Sequence, residues 1–526
     1  MLQLWRSDMA ALPTVARAVG AIVLALLASG LLFLLHAVVY RAFFHPLAKY
    51  PGPLLAKFTN LYAAYHSWKG DIHKDMYRSH LKYGDRVRYA PNRVILNTAE
   101  ALNAIHGHGN NVKKFEGYKV LAANAPNTLT LSDKALHARR RRVISQAFSE
   151  ACLRLFEPAV RSRINRFCQV LRSHGQSGGE WTDPLDMSLR FNYLTFDTMT
   201  AVSFDTDYHL TDEPKYRYVV GAIEEANIRL GVISQALELT AFHMDRRIFM
   251  KSAIAAWTFG KFLYKLLRQR LEASNTGTKD IFSFLQQCRD PDTGKGLNDA
   301  ELSTEAATFV VAGSDTTATT LAAVTHYLTG SPRCYRRARE EVRMTFASAE
   351  EIRLDPQLNS CVFLRACIDE ALRLSPPGGS APWREVDRGG ATIDGEFFPE
   401  GCEVGVAVYT IHHNTRYWED AFSYTPERWL RSSAEEDQES KLKRGSEKKK
   451  PYVPFSMGPR SCVGKPLAIA QMMLTLAVLL WEFDWRRADQ DESWETKDTA
   501  PPTTEYELRE HITSHREGPI LQFRPR

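Results

Sequence analysis

The sequence has no cysteines at Cys-x-x-Cys spacing, no Asn-x-Ser/Thr sequon, no glycine-rich nucleotide fingerprint and no internal repeat. Each absence narrows the function. The eight cysteines (Cys152, Cys168, Cys288, Cys334, Cys361, Cys367, Cys402 and Cys462) are scattered over 526 residues. That pattern points to neither a zinc knuckle nor a disulfide framework, and most of them read as reduced, buried thiols. Without a flavin or nicotinamide fingerprint, any electrons the protein uses are expected to come from a separate protein. A strong excess of one charge is also lacking: 67 Lys and Arg against 61 Asp and Glu leave a net +6. That is too diffuse to argue for nucleic acid, but it suits a surface near anionic lipid or an acidic partner.

One long apolar run is present. Residues 18–40 are apolar except at Ser29 and His36. As a helix the run would rise roughly 34 Å, enough to cross a bilayer core. It continues into Arg41-Ala42-Phe43-Phe44 with no small-residue cleavage site, so an uncleaved anchor is expected. Arg6 and Arg17 precede it and Arg41, Lys49 and Lys57 follow; the slight bias places the rest of the chain in the cytosol. Pro51-Gly52-Pro53 reads as a stiff hinge. The expected division is an anchor and linker over residues 1–50 and one catalytic domain over 51–526. That domain reads as mainly α with a smaller β portion. Helical spacing of apolar residues runs over 147–171, 302–328 and 364–374, and strands are expected in 87–96 and 391–408. The charged stretch 433–450 reads as a solvated loop, with a basic contact for an acidic redox partner as the alternative.

The sharpest motif is Phe455-Ser456-Met457-Gly458-Pro459-Arg460-Ser461-Cys462-Val463-Gly464, followed by Lys465-Pro466 and an apolar helix. A cysteine just before a helix feels the positive dipole end and free N–H groups, which favour thiolate. Pro466 falls in the first turn, where a helix tolerates it. The glycines allow a tight loop and close approach to a flat cofactor, and Arg460 can hold a cofactor carboxylate. Upstream, Glu370 and Arg373 are three apart and share a helix face; Pro426-Glu427-Arg428-Trp429 follows. Earlier still, Ala312-Gly313-Ser314-Asp315-Thr316-Thr317 interrupts a helical pattern with poor helix formers. A threonine hydroxyl bonding out of the ladder can open a groove there.

Together these motifs resemble the cytochrome P-450 family, and the chain is identified as a member with a single transmembrane helix before the cytochrome P-450 fold. The resemblance implies haem b with Cys462 as the thiolate ligand of iron, Phe455 against the proximal face, and Arg141, Arg384 and Arg460 at the propionates. Arg141 stands in a run of four arginines, Arg139 to Arg142, which leaves its register ambiguous, and His137 replaces the family's tryptophan. It further implies a buried triad of Glu370, Arg373 and Arg428. Asp315 and Thr316 would relay protons to oxygen, with Ala312 and Gly313 leaving room for it. Phe309, Ala312, Gly313, Ser380 and Ile512 are candidate substrate-pocket residues. The segment 122–127 is small and uncharged, so a lipophilic, neutral substrate is expected.

The segments 44–53 and 192–197 resemble fungal microsomal members that tailor terpenoids, polyketides or alkaloids. The implied reaction is monooxygenation with O2 and electrons from NADPH-cytochrome P-450 reductase, with cytochrome b5 as a second candidate donor, at the endoplasmic reticulum membrane. NADPH would act only through that reductase, and no nucleic acid is expected. The alternatives are a haem-thiolate isomerase or dehydratase, and a non-catalytic membrane haem or lipid binder. Neither needs the Asp315-Thr316 pair.

Overall fold

The structure is a computed structural model that describes residues 2–122, 125–174, 180–272, 280–430, 451–496 and 504–526. The charged stretch after Ser433 falls outside these residues, as do Ala123 and Asn124 of the small segment. Helices dominate. The N-terminal apolar segment forms one helix, Leu2–Val39, and runs on through a wider turn, Tyr40–Phe44. From Val19 to Phe44 it is apolar enough to cross a membrane, and none of it is buried.

The central helix, Asp299–Thr329, organises the body. Its start is fixed by a capping box: the Asn298 side chain accepts from the Glu301 backbone, and Glu301 accepts from the Asn298 N–H. Most of its length is buried, because helices pack around it on several sides. These include Met187–Phe204 and the triad helix Val362–Leu374; the latter matches the expected 364–374 within the usual uncertainty of helix ends. The proximal helix, Lys465–Glu482, and Glu150–Ser173 complete the main apolar core, in which Val324, Leu328, Leu364 and Leu476 are fully buried.

The β portion is small. A five-stranded sheet has the order β1 (Arg86–Ala90), β2 (Arg93–Leu96), β8 (Glu403–Gly405), β5 (Arg384–Val386) and β3 (Val112–Lys114). The expected strand 87–96 is thus a hairpin of two. The expected strand region 391–408 is a short hairpin, β6 (Ala391–Ile393) with β7 (Glu396–Phe398), then β8; Val408 already begins a helix. β4 (Leu185–Asp186), β12 (Ile520–Pro525) and β9 (Phe483–Arg487) form a second sheet. A third hairpin, β10 (Arg509–Glu510) with β11 (Ser514–His515), lies near the chain end. One register matters for the site: β3 and β5 pair so that Lys114 stands opposite Arg384.

Candidate functional site

The thiolate loop closes on itself. Cys462 N–H donates to the Phe455 carbonyl (2.9 Å), and Ser461 N–H donates to the Gly458 carbonyl. Gly458 has φ +65°, and a Cβ there would strike the His106 carbonyl oxygen at 2.0 Å, so only glycine fits. Lys465 lies over the Phe455 ring at 5.7 Å. Cys462 is exposed on one side of this loop. On its other sides, burial pushes the thiol upward against opposing pulls from the Gly464 and Lys465 N–H groups and the Arg141 and Lys465 charges. The helix start does favour thiolate as expected, but in the bare protein burial outweighs it. A bound cation would reverse the balance.

Behind the loop, Glu370 and Arg373 are fully buried and Arg428 nearly so. Arg373 grips both carboxylate oxygens of Glu370 (3.0 and 2.8 Å), and Arg428 Nε reaches Oε1 at 3.0 Å. The Thr425 N–H and Trp429 Nε1 complete the carboxylate shell. Arg373 spends its remaining N–H groups on the His412, Ala421 and Ser423 carbonyls. Every charge is answered, which is what allows the group to be buried.

A second charged group is not answered. Lys114, His137 and Arg384 are buried, and Arg141 and Arg460 partly so. Burial, and then the charges of Arg460, Lys114, Arg141 and Arg384, lower the His137 imidazole to about 3. Lys114 is pushed well down by burial, then by Arg384 and Arg460; Arg460 falls to about 10 for the same reasons. Neither Lys114 nor Arg141, Arg384 or Arg460 forms an ion pair with a carboxylate among the described residues. Their hydrogen bonds run to carbonyls instead: Arg141 to Ser461 (2.6 Å), Arg460 to Leu131 (2.6 Å), and Arg384 to Trp383 (2.9 Å). Like charges directly opposite on a sheet are destabilising. A buried cluster of this kind fits a dianionic ligand beside the cysteine, so the residues present suit haem and its two propionates.

The four successive arginines separate cleanly. Arg139 turns to Glu301 and the Gly296 carbonyl, and Arg142 to Asp290. Arg141 meets the thiolate loop. Arg140 is buried against Glu301, Glu305 and the Pro126 carbonyl. Glu305 also takes the Thr128 N–H and hydroxyl, each at 2.6 Å, while Asn127 reaches Thr308 at 2.8 Å. The small, uncharged segment is therefore strapped to the central helix, a feature no motif announced.

On that helix Thr316 donates to the Ala312 carbonyl at 2.6 Å, one turn back. The expected groove is absent as a break: the helix is continuous through this point. Ala312 is nevertheless exposed within it, as Cys462 is in its loop. Phe148 bridges these two walls. Its ring meets Phe309 edge-on at 5.2 Å, and it lies at contact distance from a side chain built on Gly464. Phe309 is thereby a buried member of the main core. Gly313 turns its missing side chain toward Met199, whose sulfur would lie 2.7 Å from a Cβ. Helix packing, rather than room for oxygen, explains glycine at that position. Ser380 is half-buried, and its N–H donates to Glu510 at 2.9 Å; Ile512 is half-buried in the turn between β10 and β11. Asp315 is buried and paired with Arg516 at 2.9 Å.

Sequence reasoning missed Lys114, Tyr118 (whose ring Lys114 overlies at 4.2 Å) and Arg516. No spacing rule marks a lysine in a three-residue strand; the β3–β5 register is the signal, and it exists only in the fold.

A family model described as cytochrome P-450 matches residues 50–508. The chain is 45% identical over 495 residues to the cytochrome P-450 monooxygenase poxM of Penicillium oxalicum, covering 94% of this chain and 93% of that one. It is 41% identical over 494 residues to the cytochrome P-450 monooxygenase AKT7 of Alternaria alternata, covering 93% and 94%. To lcsN of Purpureocillium lilacinum, also a cytochrome P-450 monooxygenase, it is 56% identical over 340 residues, 65% of this chain and 99% of that one. The fold superposes on a crystal structure of a cytochrome P-450 (CYP102L1) with TM-score 0.68 at 19% identity, covering 86% and 94%. With the motifs, the buried triad and a matched fold in agreement, the chain belongs to the cytochrome P-450 family of haem-thiolate monooxygenases.

Proposed function

We propose that this protein oxidises a lipophilic fungal secondary metabolite of the terpenoid, polyketide or alkaloid class, by hydroxylation, epoxidation or desaturation. Cys462 is the iron ligand, and Lys114, His137, Arg141, Arg384 and Arg460 hold the propionates. The observation that carries this reading is the buried cation group, with no carboxylate in ion-pair contact among the described residues, beside an open cysteine. Bound haem supplies oxygen activation. The chain supplies the rest. Phe455 shields the sulfur side and the strapped segment 125–130 lines the substrate side. Thr316 and Asp315 hold and pass protons at Oγ1 and the carboxylate. Ala312 leaves the helix surface low where substrate approaches.

Electrons come from NADPH-cytochrome P-450 reductase, with cytochrome b5 as an auxiliary. Residues 1–50 anchor the protein in the endoplasmic reticulum membrane, and 51–526 form the catalytic domain on the cytosolic side. Exposed Phe43 and Phe44 at the end of the apolar span, and Leu54 and Leu55 beyond it, carry apolar surface onto the body, which supports a membrane-seated base. The test is purified protein in reductase-containing vesicles with a lipophilic panel. NADPH consumption should rise with individual panel members and yield oxygenated product. No coupling to any of them would leave the isomerase reading in its place.

A further inference from the structure

Three segments meet at Ser380 and Ile512: the helix Ile72–Tyr83, the loop after the triad helix, and the hairpin of β10 and β11. At their junction Glu510 and His73 are buried, with Oε2 and Nδ1 3.3 Å apart. Neither of these two atoms has a hydrogen-bond partner among the described residues. The other carboxyl oxygen accepts the Ser380 N–H at 2.9 Å, and the Glu510 N–H donates to the Gly70 carbonyl at 2.8 Å. Gly379 lies close enough that a Cβ there would meet Oε2 at 3.2 Å and the His73 Cβ at 3.1 Å. Two facing acceptors do not stay this close, away from water, without a proton between them. Either the carboxyl donates to Nδ1, or Nδ1–H donates to a carboxylate. Burial pushes the Glu510 carboxyl up to about 7 against opposing pulls from Ser380 and Gly379. Burial, and then Lys74, lower the His73 imidazole to about 3, so the ring is uncharged in both forms. The surrounding charges are engaged elsewhere. Lys74 lies by Glu505 and Glu507, Arg78 binds Asp71, Tyr409 donates to Glu505, and Arg509 reaches Glu517. His413 and His511 are both lowered by burial. Among the described residues no lysine or arginine forms an ion pair with Glu510.

We propose that Glu510 and His73 share one proton and act as a charge switch behind the pocket wall, so that a neutral lipophilic ligand binds more tightly while the pair is uncharged. This rests on the reading of Ser380 and Ile512 as pocket residues. One proton leaves to solvent and no electrons move: Nε2 of His73 releases it while the shared proton shifts from Oε2 to Nδ1. What remains is a buried carboxylate that only His73, Ser380 and Gly379 solvate. A neutral ligand drives water from the neighbouring pocket and removes part of the screening of that charge, so it binds the uncharged form better. By linkage, its affinity falls as pH rises through the titration of the pair, and the bound ligand raises that titration in return.

The test uses haem-loaded, full-length protein as wild type, Glu510→Gln, His73→Phe, Ser380→Ala and Ile512→Ala, with the reduced CO spectrum verifying an intact haem site in each. Glutamine keeps an acceptor for Ser380 and a donor for His73, so Glu510→Gln copies the uncharged form. Infrared spectroscopy should show a protonated-carboxyl band in wild type that is lost as pH rises through neutrality and is missing in Glu510→Gln. In His73→Phe, which lacks the Nδ1–H donor to the carboxylate, the band should persist to higher pH. The ligand probe is a neutral triazole that does not itself titrate, with binding read from the Soret shift. Its Kd in wild type should rise about fivefold between about pH 6 and 8.5, while Glu510→Gln holds the wild-type acid value throughout. Three results overturn the switch: no carboxyl band titrating near neutrality in wild type, a wild-type Kd flat with pH, or the wild-type pH dependence retained in Glu510→Gln. The first two need no variant to fold. Wild-type affinity at every pH in both Ser380→Ala and Ile512→Ala would instead overturn the pocket reading on which the switch rests.

Discussion

The protein buries two groups of charge, and they are built in opposite ways. In one, Glu370, Arg373 and Arg428 satisfy each other and the surrounding backbone. In the other, Lys114, His137, Arg141, Arg384 and Arg460 act on one another with no carboxylate in ion-pair contact among the described residues. The first is closed and belongs to the scaffold. The second has no such internal pairing among the described residues, and its chemistry suits an anionic ligand. Burial alone therefore does not tell a structural ion group from a binding site; charge balance does.

The contrast can be broken most forcefully in the closed group. Glu370→Ala leaves Arg373 and Arg428 without their carboxylate and should cost about 3–5 kcal/mol, enough to abolish recovery of folded holoprotein. Expression yield and urea unfolding measure it. Next comes Cys462→Ser, which should remove the red-shifted Soret band of the reduced CO complex. The far-UV circular dichroism of the cofactor-free protein should meanwhile stay at the wild-type level. A retained band would mean that another residue binds iron.

In the open group the sign reverses. Lys114→Met should leave the cofactor-free protein as stable as wild type, or more so by about 1 kcal/mol, because it removes a cation from like charges. The same change should weaken haem retention about tenfold, read by transfer to apomyoglobin. A loss of stability like that of Glu370→Ala would erase the distinction. A smaller effect follows from pH. Lys114 is held well below its ordinary value, so the unfolded chain binds more protons than the folded, haem-free one. Stability of the haem-free protein should therefore rise from acidic to mildly alkaline pH as the unfolded lysine approaches its own titration, and Lys114→Met should flatten that slope. Smallest in structural terms is Thr316→Ala. Its hydroxyl returns to its own helix at Ala312, so unfolding should shift by less than about 1 kcal/mol. Peroxide formed per NADPH should nonetheless increase; an unchanged ratio would remove Thr316 from the relay.

Much of the site was legible in the chain because its requirements are local. The thiolate loop needs glycine where the backbone turns to positive φ against His106, and proline where a helix begins, so it writes itself as a short motif. Glu370 and Arg373 are one helical turn apart, and their pairing follows from the 3.6-residue period. The anchor declares itself by length and hydropathy. Less legible was whatever depends on the neighbour opposite. Gly313 read as space for oxygen, yet it faces Met199 on another helix. Ala391 to Val408 read as strand, but the chain turns back at 394–395 and is helical from Val408.

The sequence by itself determined the family, the cysteine of the thiolate motif, the members of the triad and the apolar segment long enough to span a membrane, because each is set by residues close together or by composition. Tertiary structure decided the rest. Successive helical residues point about 100° apart, so four arginines in a row must take four directions. Only the packed neighbours — Glu301, Glu305, the thiolate loop and Asp290 — determine which of them meets the cysteine's loop. Likewise only a strand register could set Lys114 against Arg384, and only the returning C-terminal hairpin could bring Arg516 to Asp315.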